Sequence, residues 1–115
     1  MKVLLVDDLR NFRDGRKSVI ARNSVKALAI LNSDNVWDEI WLDHDLGIVD
    51  SIGIDTIMSV VDFMCEQAYN ETPVEVATVY VHTSNPVGAK QIMSSLQNYG
   101  YNVIRVNAPE FFIVE

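Results

Sequence analysis

One cysteine, Cys65, occurs in the chain, set in an apolar stretch. A disulfide framework and a thiolate metal site are thereby excluded, and a reducing compartment is expected. Basic residues are also scarce: nine lysines and arginines stand against sixteen aspartates and glutamates, for a net charge of −7 and a pI near 4.6. This balance excludes a broad phosphate-binding face, and with it non-specific attachment to nucleic acid or to an anionic membrane. An anionic ligand must be held locally, for which a cation bound by clustered carboxylates is one device. No uninterrupted apolar run reaches membrane-spanning length, and Met1 to Val6 is too short for a signal-peptide core before Asp7-Asp8 interrupts it. A soluble, cytoplasmic protein is expected. A glycine-rich phosphate loop of the Walker kind and a serine nucleophile elbow are both missing. Gly47, Gly53 and Gly88 read instead as turn or close-packing positions.

What the chain does have is 115 residues of 49% hydrophobic content, enough for a real core in a single domain over residues 1–115. Lys2 to Val6 is a continuous apolar run stopped by acid, as in a strand buried on both faces of a parallel sheet. Leu9 to Lys17 is polar and reads as an exposed loop where many α/β folds place a helix. Ser18 to Arg22 predicts a second strand. Ser24 then reads as the N-cap of a helix ending near Asn32, with Ala27, Leu28 and Leu31 inward. Glu39 to Asp43 is a third strand, again closed by acid, and a polar loop follows. Ile54, Ile57, Met58, Val61, Met64, Cys65 and Ala68 fall at helical spacing up to about Asn70. Ala77 to His82 predicts a fourth strand, and Asn85 and Pro86 look like the N-cap and first residue of a helix that Gly100 terminates. Its inward positions are Ala89, Ile92, Met93 and Leu96. Asn102 to Val106 is a fifth strand, leaving Asn107 to Glu115 as an apolar-rich tail.

Strands alternating with helices imply an α/β fold: a three-layer, flavodoxin-like, five-stranded parallel sheet of order 2-1-3-4-5 whose first crossover helix is reduced or lost. In that order the first, third and fourth strands are neighbours, and ligands bind beyond their carboxyl ends. Asp7-Asp8, Asp43-His44-Asp45 and His82-Thr83-Ser84-Asn85 would meet there. Carboxylates so close repel unless a proton or cation intervenes. Oxygen ligands of this kind favour Mg²⁺ or Mn²⁺, which makes Asp7, Asp8, Asp43 and Asp45 the candidate metal ligands. The plainer reading of any one of them is a helix cap or a solvated side chain. His82 and His44 are the only histidines, suited to acid–base work near neutral pH with Asp43 beside them. Strand alternation can turn His44 away from Asp43. Arg10 and Arg22, ranked above Arg13, and Thr83, Ser84 and Asn85 are the candidate phosphate-binding groups. One or more of the arginines near Asp14 is simply solvated or paired with it. Trp37, Trp41, Tyr69, Tyr99 and Tyr101 read as core or rim aromatics.

The acidic pair, the third-strand aspartate and Thr83-Ser84 resemble the phosphoacceptor site of response-regulator receiver domains. Those receivers carry a lysine after the fifth strand, where this chain has Arg105-Val106-Asn107. A closer resemblance is to cyclic-phosphate-processing receiver domains. It rests on Asp7-Asp8-x-Arg10, Ala21-Arg22, Leu42-Asp43-His44-Asp45-Leu46-Gly47, Gly53-x-Asp55 and His82-Thr83-Ser84-Asn85-Pro86-x-Gly88. The resemblance implies a receiver-like fold and the processing of cyclic phosphates, in bacterial and phage settings of nucleotide signalling and conflict. The expectation is thus a metal-assisted phosphoesterase that opens a cyclic phosphate, with His82 as acid or base and His44 as second proton carrier. The alternatives are a module that binds a nucleotide or partner protein without cleaving it, and a signalling domain phosphorylated on Asp43. Phe111 to Val114 would pack back on the sheet or make a homodimer contact.

Overall fold

Strand β1 (Val3–Val6) is buried along its whole length. Side chains alternate across a strand, so Leu4 and Val6 enter one apolar cluster and Val3 and Leu5 another. That two-sided burial places β1 inside a sheet. In a computed structural model, which describes residues 1–49 and 53–115, β1 is flanked by β3 (Val19–Ala21) and β4 (Val36–Leu42). Beyond β4 lie β7 (Glu75–Val81) and β8 (Val103–Arg105), giving five parallel strands in the order β3-β1-β4-β7-β8. In order of the main-sheet strands along the chain this is 2-1-3-4-5, as expected.

Right-handed crossovers put connections on opposite faces when the chain turns from one side of the sheet to the other. The connections α1 (Ser24–Ser33), α2 (Met58–Tyr69) and α3 (Pro86–Asn98) all pack on the Leu4/Val6 face, through Ala27, Leu31, Val61, Met64, Ile92 and Leu96. The link from β1 to β3 belongs to the other face and contains no helix. Instead, β2 (Arg10–Phe12) pairs antiparallel with β9 (Phe112–Val114), and α4 (Ala108–Phe111) lies beside it. This ribbon and short helix form the third layer. Phe12 and Phe112 pack on Trp41 at centroid distances of 5.1 and 5.5 Å, and Ala108 joins the same cluster.

Several elements differ from expectation. Part of the Leu9–Lys17 loop is β2, held by a partner about a hundred residues away. The 107–115 segment does meet one of its expected outcomes and packs back on the sheet. Helix α1 is capped by Asn23, whose side chain accepts from the Lys26 N–H, because the Ser24 hydroxyl and N–H are both given to Asp55. The polar loop after Asp43 is the antiparallel pair β5 (Asp45–Val49) and β6 (Gly53–Thr56), with residues 50–52 outside the described residues. Ile54 therefore lies in a strand, 76% exposed, rather than on the inner face of α2. Trp37, Trp41 and Tyr101 are core residues, while Tyr69 and Tyr99 are exposed. No helix among the described residues is long and apolar enough to cross a membrane.

Candidate active site

The parallel register runs Val6 to Leu42 to Val81 across β1, β4 and β7. The next residue on each strand, Asp7, Asp43 and His82, keeps that register through backbone bonds from Asp43 N–H to the Val6 carbonyl and from His82 N–H to the Leu42 carbonyl, both 3.1 Å. Alternation sends all three side chains to the ribbon face, following Leu5, Trp41 and Tyr80. They converge there, each offering one ligand atom within 4.8 Å of the others.

All three are buried, and His82 is fully so. Its Nε2 lies 2.9 Å from Asp7 Oδ2, and its ring packs at a tilt on Phe112, centroids 4.4 Å apart. Burial pushes the Asp7 carboxyl up, but hydrogen bonds from His82 and from the amides of Leu9 and Arg10 outweigh it and hold the carboxyl below its usual value. With Asp7 ionised, the bond runs from His82 Nε2–H to the carboxylate. Nδ1 is buried with no hydrogen-bond partner among the described residues. Asp43 moves the other way, its carboxyl raised by burial and by Asp7, against the opposing pull of His82 and Arg10. One Arg10 nitrogen, Nη1, stands 3.7 Å from Asp7 and 3.9 Å from Asp43.

The other predicted carboxylates lie outside this trio. Asp8 is half-buried against the β5–β6 pair, where a Cβ on Gly47 would come within 3.0 Å of its Oδ2; burial and Asp7 raise its carboxyl. Asp45 is exposed at the start of β5, bonded to His44 Nδ1 at 3.0 Å and to Asn85 Nδ2 at 3.5 Å. His44 itself faces the helix side, against Gly88 of α3. It is away from the trio because it follows Asp43 directly and takes the opposite face.

Beside His82 lies a cleft of about 540 Å³ lined by Arg10, His82, Thr83, Ser84, Arg105 and the 106–109 segment; Asp7 and Asp43 adjoin it through His82 and Arg10 without lining it. Asn85 is not among its lining residues; it caps α3, accepting from the Gly88 N–H at 3.0 Å, with Pro86 as first helical residue. Arg22 also lies outside. Its guanidinium donates to the carbonyls of Arg10 (2.6 Å) and Asp7 (3.3 Å) and pairs with Glu115. Arg13 donates to the carbonyls of Pro109 and Phe112, and Arg16, rather than the three ranked arginines, forks onto Asp14. Arg13 and Arg22 therefore brace the cleft wall instead of lining the cleft. Sequence reasoning singled out neither Arg105 nor Phe112 as a site residue. The signal for Arg105 was its place at the end of the fifth strand, next to the strand that ends at His82.

A parallel sheet of this order with an acid–imidazole cluster at its switch point defines a receiver-like domain. Comparison with known families agrees: the family described as cyclic-phosphate processing receiver domain matches residues 2–98. The chain belongs to that family. No curated protein and no solved structure matches it.

Proposed function

We propose that the cleft binds a cyclic phosphate and opens it by hydrolysis with the help of a divalent cation. The observation that carries this reading is the meeting of Asp7, Asp43 and His82 beside a cleft that His82 lines together with Arg10, Thr83 and Ser84. Two carboxylates and an imidazole, each offering one ligand atom within 4.8 Å of the others, fit a divalent ion such as Mg²⁺ or Mn²⁺, and His82 Nδ1 is buried without a hydrogen-bond partner among the described residues. When bound, such a cation supplies Lewis-acid polarisation of a phosphoryl oxygen and a more acidic water.

The protein's own groups do the rest. Arg10 carries a planar fork suited to phosphate oxygens, and its present partners stand at ion-pair rather than hydrogen-bond distances. Thr83 and Ser84 offer hydroxyl donors. Hydrolysis joins the water oxygen to phosphorus and breaks one ring P–O bond. The proton leaving the water passes to the Asp7–His82 pair, and a proton returns to the departing alkoxide, giving the ring-opened monoester. Asp43→Asn keeps the shape of the side chain but removes a charge, and is expected to abolish turnover with the fold intact by circular dichroism. Undiminished hydrolysis by that variant, in a screen of cyclic mononucleotides, cyclic dinucleotides and 2′,3′-cyclic ends with and without Mg²⁺ or Mn²⁺, would overturn the reading.

The complete burial of His82 favours a second reading, ligand capture without cleavage. Calorimetry with recovery of the ligand separates the two: intact ligand after saturating binding supports capture, ring-opened ligand supports hydrolysis.

A further inference from the structure

The chain has five arginines. Four are engaged within the protein: Arg10 with Asp7 and Asp43, Arg13 with two backbone carbonyls, Arg16 with Asp14 and Glu39, and Arg22 with two backbone carbonyls and Glu115. Arg105, the last residue of β8, is exposed, and its side chain makes no hydrogen bond or ion pair among the described residues. It lines the cleft. An unpaired arginine on an open surface needs no explanation. In a chain of net charge −7, one held at the mouth of a cleft whose other arginine already faces two carboxylates is a different matter.

Next to Arg105 the wall is mostly apolar, built from Val106, Ala108 and Pro109 with the polar Asn107 among them. The cleft therefore has two chemically distinct ends. The inner end, with Arg10, Thr83 and Ser84 beside the carboxylates, suits a single phosphate. The outer end pairs a free guanidinium plane with an apolar surface, and a flat, π-faced group with polar edges meets both. A second phosphate would leave the apolar wall unused and add charge to an acidic protein. The volume of about 540 Å³ falls in the range of sites for one drug-sized molecule.

We infer that the ligand is a nucleotide carrying one cyclic phosphate, its base lying against the Val106–Ala108–Pro109 wall and stacked on Arg105, which makes Arg105 the residue that sets specificity. This rests on the cleft being the cyclic-phosphate site proposed above. Arginine stacking on a base is sequence-tolerant, so the expected preference is for nucleotides as a class over base-free compounds, with modest discrimination among bases.

The test compares a 2′,3′-cyclic mononucleotide with ribose 2,3-cyclic phosphate, which lacks the base, measuring affinity by calorimetry and ring opening by phosphorus NMR. Wild-type protein is expected to prefer the nucleotide, and Arg105→Ala to reduce that preference roughly tenfold, the size of one lost base-stacking contact. Arg105→Lys, which keeps the charge but not the plane, should recover only part of it. An unchanged preference in Arg105→Ala overturns the inference and leaves the cyclic-phosphate reading standing. Equal weakening of both compounds also overturns it, making Arg105 a phosphate contact. If wild-type protein binds neither compound, both readings fall.

Discussion

Replacing Gly88 by alanine tests how tightly the β5–β6 pair is docked on α3. At an ordinary interior helical position the change is stabilising, because alanine is favoured over glycine by about 1 kcal/mol. Gly88 is the third residue of α3 and has no unusual φ that alanine would strain. Its surroundings reverse the expectation. A Cβ there would stand 2.6 Å from both Cγ and Cδ2 of His44 and 3.0 Å from its Cβ. Rotating the ring cannot move the His44 Cβ, and the backbone is anchored where the His44 carbonyl accepts from the Ile57 N–H at 2.9 Å. Overpacking of this kind costs about 1–3 kcal/mol, so after the helical gain the variant should lose roughly 1 kcal/mol. For a chain of this size that lowers Tm by about 4 °C. Urea unfolding with an unchanged m-value is the assay. In a His44→Ala background only the Cβ contact remains, and Gly88→Ala should become neutral or stabilising. A double-mutant cycle would then show coupling of about 1–3 kcal/mol. Gly88→Ala as stable as wild type, or additive with His44→Ala, would refute the docking described here.

Two further predictions concern the core on either face of the sheet. The buried Tyr101 hydroxyl donates to the Met64 carbonyl at 2.8 Å and accepts from the Val74 N–H at 3.2 Å. Burial raises its pKa, so the unfolded chain ionises first: stability is complete below about pH 10 and falls as pH rises past it. Tyr101→Phe should cost about 1–3 kcal/mol at neutral pH and flatten that alkaline fall; equal alkaline slopes in denaturation curves would count against it. On the other face, Phe112 packs on Phe12, Trp41 and His82 while only 3% exposed. Phe112→Ala should cost about 3–5 kcal/mol and speed hydrogen exchange at Arg10–Phe12, whose partner strand it anchors. A loss below about 1 kcal/mol would show that the ribbon closes the face without it.

The strand ends were legible because chemistry changes abruptly there. A strand buried on both faces is an unbroken apolar run, as β1 is, so Val6 before Asp7 marks where the chain leaves the sheet, and the apolar Val79–Val81 before His82 marks a second such point. Asn85-Pro86 was equally plain, since few residues start a helix so well. The β5–β6 pair was not legible, for a specific reason. Ile54, Ile57, Met58 and Val61 satisfy helical spacing, yet Ile54 pairs with Ile48 across β5–β6 and faces solvent, and spacing alone cannot say where a helix starts. The cap of α1 shows the same difficulty on a smaller scale. Asn23 and Ser24 are both good caps, and only the distant Asp55 decides between them by occupying Ser24. The β2–β9 ribbon was hidden altogether, because each strand has three residues and its partner lies far along the chain.

The hidden ribbon explains why the candidate site has its form. A helical crossover from β1 to β3 would occupy the face to which Asp7, Asp43 and His82 point. Without it the chain covers that face with β2, β9 and α4, and the 106–109 segment becomes a wall of the cleft while Phe112 lies on His82. Such a wall is made of short pieces with little intrinsic stability and has to be tied down. Arg13 and Arg22 tie it by bonding to the backbone of both the β2 segment and the final segment and, for Arg22, to Glu115. The Ala21-Arg22 motif thus contributes to the site through architecture, not by touching a ligand. Arg10 remains for the proposed phosphate and Arg105 for the proposed base, both lining the cleft. In a chain this acidic, the proposed phosphate chemistry needs a place where a cation, a guanidinium or a metal, would offset the carboxylates, and Arg10 beside Asp7 and Asp43 provides the guanidinium.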